Sequence, residues 1–192
     1  YHQAGIKNAV APLGTALTPE QIKLVSGFVN SVYLSLDSDA AGQKATMKSI
    51  ILCRKAGLTV KIIQLSQGKD PSEILLNYGS QTLTDNVKSA ILDNDYLLCK
   101  LSKDYPVDKP EGKAKAALAF FPYIDALTSD IQKESCFEQL AMTFGLNLEA
   151  VKADYANRDQ LAKRYQKFDS NDQKPNLNIT VRPNAQLRAV LA

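Results

Sequence analysis

Short apolar runs alternate with helical periodicities over the first ninety or so residues, after which only helical spacing remains. Asn8-Ala-Val-Ala11 predicts a short strand, followed by the loop Pro12-Leu-Gly-Thr15. Thr18-Pro19-Glu20-Gln21 predicts a helix start, with Thr18 as cap, Pro19 at the first helical position and Gln21 closing a capping box. Ile22, Leu24, Val25 and Phe28 continue that helix. The β-leaning run Val32–Leu36 predicts a strand, and a helix over about Ala40–Ala56 follows, with Ala45, Ile50, Ile51 and Leu52 among its apolar positions. Gly57 closes it as a C-cap. Leu58–Leu65, rich in β-branched residues, predicts the next strand, and Pro71–Tyr78 the next helix. Beyond Leu83 the segments Val87–Leu101, Gly112–Leu127, Ile131–Phe144 and Leu148–Tyr155 keep i, i+3, i+4 spacing, with Pro106, Pro110 and Pro122 punctuating or kinking them.

Strands and helices alternating at these short spacings predict βαβ units and a parallel sheet, followed by an all-α half. Right-handed crossovers then bring the loop after Leu65 to the same sheet edge as the turn after Leu36. Phe120, Phe121, Tyr123, Phe137 and Phe144 keep helical spacing and predict a bundle core rather than a base-stacking platform. Asn157–Arg182 collects Asp, Asn, Gln, Lys and Pro without periodicity and predicts a polar linker, and Arg182–Ala192 reads as the start of a further helix.

Composition narrows the class. The 192 residues are 45% hydrophobic and 22% charged, as in a globular chain. Net charge is only +3, and it is uneven: seven Lys/Arg against three Asp/Glu from Asn157 onward give the tail +4, leaving −1 on residues 1–156. Cys53, Cys99 and Cys136 lie far apart with no Cys-x-x-Cys, and the single histidine is His2. Neither a zinc site nor a disulfide framework is expected, a reducing cytosol fits, and histidine-dependent catalysis has no obvious agent. No apolar run reaches the roughly 18 residues of a membrane span, and no signal peptide is visible. The opening on Tyr1 and the ending Leu-Arg-Ala-Val-Leu-Ala give the expectation of a piece trimmed from something longer.

The candidate chemistry lies in Val32-Tyr-Leu-Ser-Leu-Asp37-Ser-Asp39-Ala-Ala-Gly42. Two carboxylates at i and i+2, where a strand meets a helix N-terminus, suit Mg²⁺, which takes oxygen ligands and few protein carboxylates. Ala40, Ala41 and Gly42 leave the first helical turn bare, so its N–H groups favour a phosphate. The plain alternative makes Asp39 a helix cap and Asp37 a solvated loop residue. The second loop, Ser66-Gln-Gly68-Lys69-Asp70-Pro71-Ser72-Glu73, brings a third carboxylate, Asp70, to the same edge, with Lys69 beside it as a possible phosphate contact.

These residues also resemble a known family. Gly5-Ile6…Asn8-Ala-Val-Ala…Leu13-Gly-Thr15-Ala-Leu-Thr18, Leu36-Asp37-Ser-Asp39-Ala-Ala-Gly42 and Gly68-Lys-Asp70-Pro71 match, in order and spacing, the TOPRIM subdomain of DnaG-type bacterial DNA primases. The resemblance covers about residues 1–156. It implies a TOPRIM-like α/β subdomain over 1–90 that lacks its first strand, a helical subdomain over 91–156, a linker over 157–181 and the start of a helicase-binding region over 182–192. It implies RNA primer synthesis on single-stranded DNA from ribonucleoside triphosphates, in partnership with the replicative helicase, in the bacterial cytoplasm at the replisome. It further implies Asp37 and Asp39 as catalytic metal ligands, Asp70 as a third ligand, Gly42 and Lys69 as phosphate contacts, and Mg²⁺ or Mn²⁺ as cofactor, with no zinc in this stretch.

Two departures qualify the match. Ser72 stands where the family's loop has its second acid, with Glu73 next to it. The family's Glu-Gly-Tyr-x-Asp strand would lie upstream of Tyr1, so the fragment alone is expected not to prime. Rival readings are another TOPRIM enzyme (topoisomerase or nuclease), a haloacid-dehalogenase-like phosphatase, and a non-catalytic module that docks helicase or DNA.

Overall fold

In a computed structural model the described residues are 1–12, 17–35 and 40–171. The capping box is formed as its residues dictate: Thr18 Oγ1 accepts from the Gln21 amide, the Gln21 side chain accepts from Thr18, and α1 (Pro19–Ser26) starts there. Strand β1 (Ser31–Leu34) leads to α2 (Ala40–Lys55), which ends before Gly57 (φ 78°), and β2 (Thr59–Ile62) follows. β1 and β2 pair in parallel, Ser31 opposite Thr59 and Leu34 opposite Ile62, so this part of the expected βαβ series is present. Both strands are short, but Val60 is fully buried and Leu34, Ile62 and Ile63 nearly so, each contributing about 1.5–3 kcal/mol by burial.

The sequence reading needs three corrections here. Asn8–Ala11 forms no strand; the N-terminal segment makes a 3₁₀ turn at His2–Ala4 and then irregular backbone. The helix expected over Val87–Leu101 is broken: α3 (Pro71–Lys88) ends first, and a two-residue strand β3 (Ile91–Leu92) pairs antiparallel with β2 before α4 (Asp93–Asp104) begins. The three-stranded sheet, in the order β1-β2-β3, is therefore mixed rather than wholly parallel. Two apolar residues beside a helix N-terminus carry too little periodicity to separate strand from helix. The third correction is that Arg158–Asn171 is helical (α8) where a polar linker was expected. Residues 172–192, including the expected helix start at 182, lie outside the described residues.

The helical half runs α5 (Pro110–Asp125), α6 (Asp130–Phe144) and α7 (Leu148–Ala156), with Pro110 at the first turn of α5, Ser129 and Asn147 capping α6 and α7, and Gly145 closing α6 in the left-handed region. Phe120, Phe121, Tyr123, Phe137 and Phe144 are all buried, as their spacing requires. Tyr155 stands edge-on to Phe121 and Phe137, at centroid separations of 5.3 and 4.9 Å. Helix α2 packs against β2 and α5, while α4 packs against β2, α5 and α6. Strand and helix residues thus share one core, running from Ile50, Cys53 and Val60 through Leu97 and Leu101 to Phe120 and Leu140. Residues Tyr1–Arg158 form one compact unit, and the described residues 159–171 belong to a second.

Candidate metal and phosphate site

Parallel pairing decides where the site lies. Because β1 and β2 run in the same direction with Leu34 opposite Ile62, the chain leaves both strands at one sheet edge. The segment that leaves β1 carries Asp37 and Asp39, and the one that leaves β2 carries Asp70. Open α/β sheets bind ligands at this carboxyl edge. Asp37 and Asp39 lie outside the described residues. Gly42 falls in the first turn of α2, the position from which backbone N–H groups face an approaching anion.

The second loop is described in full. Asp70 is the N-cap of α3, exposed, its Oδ1 accepting from the Ser72 and Glu73 amides at 2.8 Å each. Among the described residues nothing bonds its Oδ2. Asp70 therefore caps α3 through one oxygen, which fixes the carboxylate. Glu73 turns back on its own loop, where its Oε2 accepts the Lys69 backbone N–H at 2.7 Å. Ser72, in place of a second loop acid, sits exposed in the first turn of α3. Gly68 holds φ 96° and lies against that turn, where a Cβ would come within 3.1 Å of Ile74 Cγ1 and 3.4 Å of Glu73 Oε2. A side chain there would be strained twice over. Lys69 is exposed.

The donor set is all oxygen, which suits a hard divalent cation. Among the described residues no group of three or more His, Cys, Asp or Glu gathers to hold a metal ion.

Among the described residues the most deeply buried ion pair lies at the other end of α2, and the sequence did not disclose it. At the C-terminal end of α2, Arg54 Nε and Nη2 donate to Asp93 Oδ2 and Oδ1 at 2.6 and 2.5 Å, in a two-pronged pair. Asp93 is fully buried in the first turn of α4, and the Arg54 side chain is 11% exposed. Burial pulls the Arg54 guanidinium down, but the hydrogen bonds and charge of Asp93 outweigh it and its pKa rises. Burial, with the Asp93 charge second, raises Tyr123 far above the ordinary tyrosine range and pushes the Cys53 and Cys136 thiols up to about 11. Nothing in the local pattern around Asp93 beyond an acid next to Ile91-Leu92 could have marked it.

Comparison with known proteins places these features. A family model described as Toprim-like matches residues 1–75, and one described as the DnaB-helicase binding domain of primase matches residues 95–149. The DNA primase of Treponema pallidum is 38% identical over 155 residues, covering 81% of this chain and 26% of that protein. Among solved structures, a DNA primase domain from Pseudomonas aeruginosa is 27% identical with a TM-score of 0.67, covering 79% of this chain and 49% of the other. A DnaG primase catalytic domain bound to single-stranded DNA, 23% identical, shares the fold with a TM-score of 0.67 over 78% of this chain and 48% of that one. Matches of that extent run through the sheet and into the helices. The chain spans little more than a quarter of the length of the curated relatives it matches. The helicase-binding match falls on α4–α6, upstream of residues 182–192 where the sequence reading expected that region to start.

Proposed function

The chain belongs to the DnaG-type bacterial DNA primases, and on that premise we propose that it carries the metal-binding edge of an enzyme that builds short RNA primers on single-stranded DNA. The observation that carries this reading is the parallel β1–β2 pair, which sends the Asp37–Asp39 turn and the Asp70 loop out of one sheet edge. In this reading Asp37 and Asp39 hold Mg²⁺ or Mn²⁺ with Asp70, which contributes the oxygen not used for capping. Gly42 and its neighbours in the first turn of α2 offer N–H groups to a phosphate, and Lys69 adds a positive charge beside Asp70. A divalent ion held there offsets charge on the attacking and leaving oxygens of phosphoryl transfer. The chain's own part is to fix three carboxylates and a helix N-terminus in one place, so that incoming ribonucleotide phosphates arrive already oriented.

The binding step can be tested on this chain directly. Mn²⁺ titrated by calorimetry should bind the chain and not the Asp37→Asn/Asp39→Asn variant. Equal binding by both would remove the acidic turn from the site.

A second role is proposed for the helices. The helicase-binding family match over residues 95–149 favours α4–α6 as a docking surface for the replicative helicase, although the same helices are also covered by the structural match to primase cores. Ile131 and Met142, 83% and 82% exposed, are eleven residues apart on α6 and so share a face. If they contact the helicase, Ile131→Asp with Met142→Asp should abolish co-elution with it. The proposed setting is a replication protein of the bacterial cytoplasm, and among the described residues no helix is long and apolar enough to cross a membrane.

A further inference from the structure

One buried polar side chain has no place in the reading so far. Asn86, in the last turn of α3, is 5% exposed, yet it ends in an amide. Its Oδ1 accepts from Ser66 Oγ at 2.8 Å, and among the described residues its buried Nδ2 has no hydrogen-bond partner. Turning the amide over would pair Nδ2 and orphan Oδ1 instead, so either orientation leaves one buried atom unpaired. An orphan of this kind costs about 1–3 kcal/mol, whereas a leucine of similar size would avoid it. Packing alone therefore gives no reason for asparagine.

Its partner gives one. Ser66 opens the loop that continues through Gly68 and Lys69 to Asp70. A straight helix would carry Asn86 about 22 Å along its axis from Pro71, whereas Ser66, five positions before Pro71, can lie at most about 18 Å from it. Gly79 interrupts α3 with φ 85° and ψ 171°, a conformation that in practice only glycine adopts, and the interruption permits the last turns to come back to Ser66.

We infer that Asn86 is a positioning residue for the metal-site loop: it anchors Ser66, and through Ser66 it holds the loop that presents Asp70. The downstream end of the loop is already fixed by the Asp70 cap and by Glu73 on the Lys69 amide; Asn86 fixes the upstream end. The inference rests on Asp70 being a metal ligand, but its mechanical content does not.

The test uses the whole chain carrying Asn86→Leu, Ser66→Ala or Ser66→Thr. In the metal-free protein, amide hydrogen exchange at Ser72 and Glu73 should quicken about tenfold in Asn86→Leu and in Ser66→Ala, with the double variant no faster than either single, while Ser66→Thr restores the parental rate. Mn²⁺ should bind about fivefold more weakly in the first two and normally in the third, with the melting temperature of Asn86→Leu at or above the parent's. Parental exchange at Ser72 and Glu73 in either hydroxyl-less or amide-less variant, or acceleration spread evenly over α3, would overturn the inference. If the parent fails to bind Mn²⁺ while exchange changes as described, the metal reading falls and the anchor stands. Because Ser66 is exposed, the Ala/Thr pair decides the matter even if Asn86→Leu does not fold.

Discussion

Arg54 and Asp93 face each other as a fork on a carboxylate, buried where α2 meets the start of α4. Helix α2 begins at the acidic turn and ends at this pair, so the element that leads out of the candidate metal site is tied at its far end to the helical half. The Tyr123 ring adds α5 to the junction, with its centroid 5.9 Å from the guanidinium carbon.

Removing one partner should therefore cost far more than removing both. Asp93→Ala strands a guanidinium in the core and is expected to destabilise the chain by about 3–5 kcal/mol, whereas Arg54→Met with Asp93→Leu should lose much less. Urea unfolding of the two variants checks this. Equal losses would mean that the pair holds its place through packing alone.

The three thiols differ in environment, and their reactivity should differ with it. Cys99 is exposed, while Cys53 and Cys136 are buried and their thiols are pushed up to about 11 by burial and then by the Asp93 charge. Only the thiolate is nucleophilic, so iodoacetamide at pH 8 should modify the native chain once, at Cys99, and the denatured chain three times. Mass spectrometry of the intact chain and its peptides reads the result directly. Fast labelling of Cys53 would show that the α2–α4 junction opens readily.

Much of this was legible in the residues. The Thr18 box, the Gly57 stop, the start of α2 and the aromatic core of the bundle arise from neighbours in sequence, which local pattern reads well, whereas β2 closes at Ile62, three residues short of the expected Leu58–Leu65. Of the candidate site's acids only Asp70 is described, at the start of α3 where the turn chemistry of Asp-Pro puts it, and Asp37 and Asp39 lie outside the described residues. What stayed hidden is long-range. Asp93 pairs across 39 positions and Asn86 across 20, and neither has a local signature. Strand β3 was missed because its two residues gain their conformation from pairing with Lys61 and Ile62, not from any preference of their own.

Gly112 shows how a local rule can give the wrong sign. In the first turns of a helix, glycine to alanine ordinarily stabilises by up to about 1 kcal/mol. Here an added Cβ would lie 2.0 Å from the Pro106 carbonyl oxygen and 2.6 Å from its carbon, both backbone atoms that a rotamer change cannot move. Gly112→Ala is expected to destabilise by about 3 kcal/mol as the chain before α5 is forced away. A denaturation midpoint at or above the parent's would mean that this segment shifts freely.

Tyr155 ties the end of α7 to α5, and its ionisation should be felt in alkaline stability. Its hydroxyl donates to Asp125 Oδ1 at 2.5 Å, while Arg158 stacks over the ring and pairs with the same carboxylate. Burial, followed by the hydrogen bond to and charge of Asp125, raises its pKa from the ordinary 10.0 to about 12, against a smaller opposing effect of Arg158. The folded chain therefore keeps this proton where the unfolded chain has lost it. The resulting stability is fully present below pH 10 and is lost as pH rises toward 12. Tyr155→Phe keeps the ring against Phe121 and Phe137 but has no proton to lose, so its unfolding free energy should fall less steeply across that interval than the parent's. Parallel decline in the two proteins would assign the alkaline loss to other groups, Tyr123 first among them.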